Sequence, residues 1–168
     1  MLQWDGRWAG APQFPGMEHV FADTFGRLSR AVPDDVELGF HLCYGDLDAA
    51  HFVEPLDLRK AVELANLILA SAGRPVAYIH VPVPVERDDD AYYAPLRDLR
   101  LPAGTELYLG LVHVKDGVEG TRRRMAAAAR FVPEFGIASE CGISRGRSRD
   151  VAIEFMRVYA AAAAGGPA

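Results

Sequence analysis

Short runs of β-branched and aromatic residues alternate along this chain with longer stretches of helical period, and that alternation restricts it to a parallel α/β architecture. Five strand–helix units are expected. A strand over Met1 to Asp5 leads past a loop at Ala9 to Pro15 into a helix from about Met17 to Ala31, where Val20, Phe21, Phe25 and Leu28 recur at helical spacing. A second strand, Glu37 to Cys43, precedes a helix opened by Asp57 as N-cap and closed by Gly73, with Leu58, Val62, Ala65 and Leu69 as its apolar stripe. The third strand, Val76 to Val81, is followed by a Pro- and Asp-rich loop and a short helix near Tyr92 to Leu99. The fourth, Glu106 to Val114, precedes a helix that Asp116 and Glu119 open in the manner of a capping box. The fifth, Phe135 to Ser139, passes through a Gly- and Arg-containing loop to a helix from Arg149 to Ala163, and the tail from about residue 164 is expected to fray.

Strands such as Leu38 to Cys43 and Leu107 to Val112 are apolar on both faces, which fits either a doubly wound sheet or a barrel. Half of the 168 residues are apolar, enough to bury the core of one domain spanning 1–168. A net charge of −5 offers nucleic acid and anionic lipid no general attraction. The first thirty residues hold Asp5, Glu18 and Asp23 and no continuous apolar stretch, and no run in the sequence approaches the roughly 20 apolar residues that cross a bilayer, so a cytoplasmic protein without leader or anchor is expected. In a reducing compartment two cysteines almost a hundred residues apart read as buried or liganding thiols rather than a disulfide framework.

Parallel α/β folds collect their chemistry at the C-terminal ends of the strands. Here those ends hold Asp5, then His41 and Cys43, then His80, then His113 and Asp116, and finally Glu140 and Cys141. Both cysteines and most of the histidines of the chain are in this set. One residue separates His41 from Cys43, which on a strand puts both side chains on one face, and Cys141 arrives from another strand. An imidazole and two thiolates are ligand types that zinc favours. From spacing alone, two small buried thiols beside a satisfied histidine fit as well.

The segments Gln3-Trp4-Asp5, His41-Leu42-Cys43-Tyr44-Gly45-Asp46, Leu109-Gly110-Leu111-Val112-His113 and Phe135-Gly136-Ile137-Ala138-Ser139-Glu140-Cys141-Gly142 resemble, in order, the strand-end motifs of the cobalamin-independent methionine synthase family. The resemblance implies a partial (β/α)8 barrel of the TIM type, comprising its last five strand–helix units. It implies a zinc cofactor held by His41, Cys43 and Cys141, Asp5 holding the amino group of homocysteine, and His113 transferring a proton during methyl transfer. Where the family supplies a glutamate ligand this chain has Ala77-Tyr78-Ile79-His80, so His80 is expected as the fourth ligand, with Glu86 just beyond it. The function implied is zinc-dependent transfer of a methyl group to a small thiol from a methyltetrahydrofolate-type or related donor. The alternatives are a non-catalytic fragment that completes a partner's barrel, or a relative using a methylcorrinoid donor or another thiol. Because the family's first three strands have no counterpart, a homo-oligomer or a missing N-terminal half-barrel is expected, with no nucleic acid or membrane partner.

Weaker marks remain. Trp4 stacks on a flat donor or packs in the core, and Glu140 orients a neighbouring group or forms an ordinary salt bridge. Arg145, Arg147 and Arg149 form an anion site or a solvated loop. Arg122, Arg123 and Arg124 read as a solvated helix face, and Asp88, Asp89 and Asp90 either cap the short helix that follows or form a solvated loop.

Overall fold

The computed structural model describes residues 1–7, 14–47, 50–143 and 147–165. Its centre is a four-stranded, wholly parallel sheet of β1 (Gly39–His41), β4 (Tyr78–Pro82), β5 (Glu106–Val112) and β6 (Gly136–Ser139), in that spatial order. A separate two-stranded antiparallel ribbon, β2 (Asp46–Leu47) and β3 (Ala50–His51), follows β1. The helices are α1 (Leu2–Asp5), α2 (Met17–Ala31), α3 (Arg59–Ser71), α4 (Asp90–Tyr93) continuing into a 3₁₀ turn (Ala94–Asp98), α5 (Gly117–Ala129) and α6 (Arg149–Ala163).

Alternation along the strands sorts the side chains. Ile79, Val81, Leu107, Leu109, Leu111 and Ile137 are buried and join Leu58, Leu64 and Ile68 in the core. The opposite face carries Tyr78, His80 and Tyr108. The Tyr78 ring lies over Gly39 of β1 and the Tyr108 ring over Gly136 of β6, occupying the space a Cβ at either glycine would need. This face is only partly covered: Tyr78 is 41% exposed, and a cavity of about 500 Å³ opens beside His80, Tyr108 and Ala138. The expectation of strands apolar on both faces therefore holds for the C-terminal half of β5, where Leu109 to Val112 are all buried, and fails at Tyr78, His80 and Tyr108.

The start of the chain corrects another expectation. Met1 to Asp5 is no strand; Asp5 N–H bonds Met1 O at 2.8 Å, closing a helical turn that buries Trp4 edge-on against Phe21 of α2, with ring centroids 5.6 Å apart. A strand needs a neighbour for its ladder, and no sheet strand among the described residues pairs with this segment. The central sheet thus has four strands where five units were expected. On α2, Phe21 and Phe25 pack inward as expected while Val20 and Leu28 are exposed, because the helix meets α3 through Gly26.

Helix caps also differ. The N-cap of α3 is Leu58, and Asp57 accepts from Arg59 N–H at 2.8 Å. Gly73, at φ +68°, ends α3 as expected. The Asp116–Glu119 capping box does not form, because the Asp116 carboxylate turns instead to Arg124. Arg124 is 1% exposed, not part of a solvated face. It donates to Leu111 O, Val85 O and both Asp116 oxygens, tying the loops after β4 and β5 together. Asp89 caps α4 by accepting from Tyr92 N–H, while Asp88 and Asp90 pair with Arg123 and Arg130. Ser148 caps α6. No helix among the described residues is long and apolar enough to cross a membrane.

Candidate metal centre

The parallel register pairs His41 of β1 with His80 of β4, so the two imidazoles stand side by side on the partly open face. Their ring centroids are 4.7 Å apart and their Nδ1 atoms 2.9 Å. Cys43 lies two residues beyond β1 and Cys141 two beyond β6, the two outermost strands of the sheet. Strand ends three positions apart in a flat sheet are about 14 Å distant, yet these sulfurs are 3.0 Å apart. Curling of the sheet, with the residues beyond each strand, brings them together. The ligand atoms of His41, Cys43 and Cys141 all lie within 4.8 Å of one another, a group able to hold a metal ion.

Gly110 on β5 makes the curl possible. A Cβ there would fall 2.7 Å from Ser139 O, 2.9 Å from Pro82 Cα and 3.2 Å from Glu140 Cα, all backbone atoms that cannot step aside. Flanking strands therefore close over the glycine, and His80 Nε2 reaches Ser139 O at 3.0 Å. That carbonyl accepts the Nε2 proton and leaves the Nδ1 lone pair directed at His41, the arrangement by which a second hydrogen bond fixes the tautomer of a metal-binding histidine. Burial lowers the pKa of His41. Burial and the neighbouring His41 push His80 down to about 4, so both rings are neutral near pH 7 and each retains a lone pair. Gly45 N–H donates to Cys43 Sγ at 3.2 Å and orients it.

His113 sits just after β5, 4% exposed, with Nε2 2.8 Å from Val83 O and Nδ1 3.2 Å from Glu140 Oε2. Glu140 Oε1 accepts from Arg147 at 2.6 Å. Burial raises the Glu140 carboxyl, but hydrogen bonds and charge from His113 and Arg147 outweigh it and hold the group below the usual carboxylate range. Glu140 also lines a cavity of about 320 Å³ with His51, Glu54, Pro84, Glu86 and Arg87 at the C-terminal mouth of the sheet.

The other residues expected at the site are placed differently. Asp5, whose side chain is 3% exposed, is held by Arg7 in a bidentate pair at 2.5 and 2.8 Å, and the Arg7 hydrogen bond keeps its carboxyl below the ordinary range. Trp4 is a core residue. Glu86 pairs with Lys115 on the cavity rim. Asp116 serves Arg124. Arg145 lies outside the described residues. Arg147, expected in an anion site or a solvated loop, instead pairs with Glu140, and sequence reasoning missed Arg7, Gly110 and His51. Gly110 left one signal, a glycine inside an apolar strand run; His51 left none, because the β2–β3 ribbon was not anticipated. No family model, curated protein or solved structure matches the chain.

Proposed function

We propose that this chain carries a zinc–thiolate site that activates a small thiol, such as homocysteine, for methylation, on an arc of a (β/α) barrel similar to the zinc-bearing barrel of cobalamin-independent methionine synthase. The observation that carries the reading is the convergence of His41, Cys43 and Cys141 within 4.8 Å. One neutral imidazole and two thiols match zinc in softness, and ligand atoms of a tetrahedral zinc site stand roughly 3.3–3.8 Å apart, a spacing this cluster reaches by small side-chain rotations. His80 Nδ1 is the nearest candidate for a fourth position. Bound zinc would supply Lewis-acid stabilisation of a substrate thiolate at neutral pH.

The protein's own groups supply the rest. Ser139 O and Gly45 N–H aim His80 and Cys43. Of the His113–Glu140 pair it is Glu140 that faces the cavity, so a proton passing to or from His113 Nδ1 runs through Glu140 Oε2. A methyl donor would enter the 320 Å³ cavity. Asp5 is already neutralised by Arg7, so an incoming ammonium group must displace that guanidinium, and a thiol without an α-amino group is an equal test substrate.

The partly open sheet face favours a second reading, in which the chain completes a barrel with strands from another copy or segment. Zinc content of the reduced protein, with Cys43→Ser and Cys141→Ser as controls, tests the site. Methyl transfer to homocysteine and to a simple alkanethiol from methyltetrahydrofolate then distinguishes the enzyme from a non-catalytic barrel part.

A further inference from the structure

We infer that Cys43 and Cys141 form an oxidation-sensitive pair, which peroxide converts into an intrachain disulfide that joins the two edge strands of the sheet and withdraws both sulfurs from metal binding. The inference stands on the thiol geometry and holds whether or not the protein methylates anything.

Both cysteines are thiols, and their sulfurs face one another at 3.0 Å. A disulfide requires about 2.05 Å, an approach of about 1 Å. Neither residue lies within a strand. Leu42 N–H to His80 O, at 2.9 Å, is the last ladder bond before Cys43, and Gly45 and Gly142, with φ of +78° and +73°, turn the chain just beyond each thiol. Side-chain rotation therefore closes the gap without breaking the parallel ladder. The two sulfurs also differ in access. Cys43 is half-buried beside exposed His41, whereas Cys141 is 9% exposed, so an oxidant meets Cys43 first and Cys141 waits behind it.

The chemistry balances with hydrogen peroxide as oxidant. The Cys43 sulfur attacks one peroxide oxygen; the O–O bond breaks, a sulfenic acid forms, and the departing hydroxide takes the thiol proton as water. The Cys141 sulfur then attacks the Cys43 sulfur; the S–S bond forms, the S–O bond breaks, and the hydroxide leaves as a second water. Two thiols lose two electrons and two protons, and the peroxide gains them. Because attack by Cys141 is intramolecular at contact distance, it outruns both further oxidation of the sulfenic acid and coupling to another molecule.

The test uses the full chain, stripped of metal and reduced, then treated with one equivalent of hydrogen peroxide and alkylated under denaturing conditions. The expected result is a monomer lighter by two hydrogens, with alkylation lost at both cysteines together and a cross-linked peptide containing Cys43 and Cys141. Dithiothreitol restores both thiols, and with them whatever zinc binding the untreated protein shows. Sulfinic acid on either residue without a cross-link, disulfide-linked dimers, or two unchanged thiols would each overturn the inference. In Cys43→Ser and Cys141→Ser the remaining thiol forms no intrachain bond, and the wild-type mass result stands alone if either variant fails to fold. A disulfide in a protein that binds no zinc supports this inference and defeats the metal reading; zinc binding with no disulfide does the reverse.

Discussion

At the residue scale, His80 holds the most information. Its Nε2 is committed to Ser139 O and its Nδ1 faces His41, so a proton added to the ring places a positive charge in a half-buried space beside a second imidazole, which burial first and His41 second disfavour. The folded protein resists that proton until about pH 4, whereas the unfolded chain accepts it near pH 6.5. As pH falls through that window the unfolded state binds the extra proton, so the metal-free protein loses roughly 2 kcal/mol of stability from this group and no more below pH 4. Urea titrations at pH 7.5, 5.5 and 4 should show the loss, and His80→Gln should flatten it. A profile unchanged by His80→Gln would mean the ring titrates freely. The proximity of His41, Cys43 and Cys141, a group that could hold a metal ion, was legible in the sequence from their places at strand ends. Arg7 was not: nothing in Asp5-Gly6-Arg7 announces that the arginine folds back to neutralise the aspartate.

At the scale of elements, two contacts hold the strand ends in place. Arg124 gathers the carbonyls of Leu111 and Val85 and the carboxylate of Asp116. Arg124→Met keeps the side chain's bulk but strands these acceptors, and the loss of a buried charged partner should cost about 3 kcal/mol, measurable by chemical denaturation. Gly110→Ala acts differently. Its methyl meets only backbone, so β4 and β6 must part; about 2 kcal/mol of stability and roughly 10- to 100-fold in metal affinity should go together. Stability lost with affinity intact would show that the curl does not set the site. Helices α2 and α6 run over the ranges read from the sequence, Met17–Ala31 and Arg149–Ala163, although only Phe21 and Phe25 of the α2 stripe pack inward. The Asp116–Glu119 box and the solvated Arg124 were misread because a tertiary partner, visible in no local pattern, took the aspartate.

At the scale of the whole molecule, four parallel strands in spatial order with chain order build one curved layer, helix-covered on one face and carrying tyrosines and histidines on the other. The α/β class was legible from alternation alone. The ribbon β2–β3 was not, since two-residue strands carry no period, and Met1 to Asp5 was misassigned because a five-residue segment with three apolar residues, Met1, Leu2 and Trp4, fits a strand or a helical turn equally well. The central claim is that the curl of this layer makes a metal site from residues at its two edges. Competitive zinc titration of the reduced protein tests it most directly. The account predicts one zinc per chain, with affinity falling at least about 100-fold in Cys43→Ser and in Cys141→Ser, beyond what loss of an outer hydrogen bond costs. No zinc above the buffer level, or zinc held equally well by both serine variants, would contradict it.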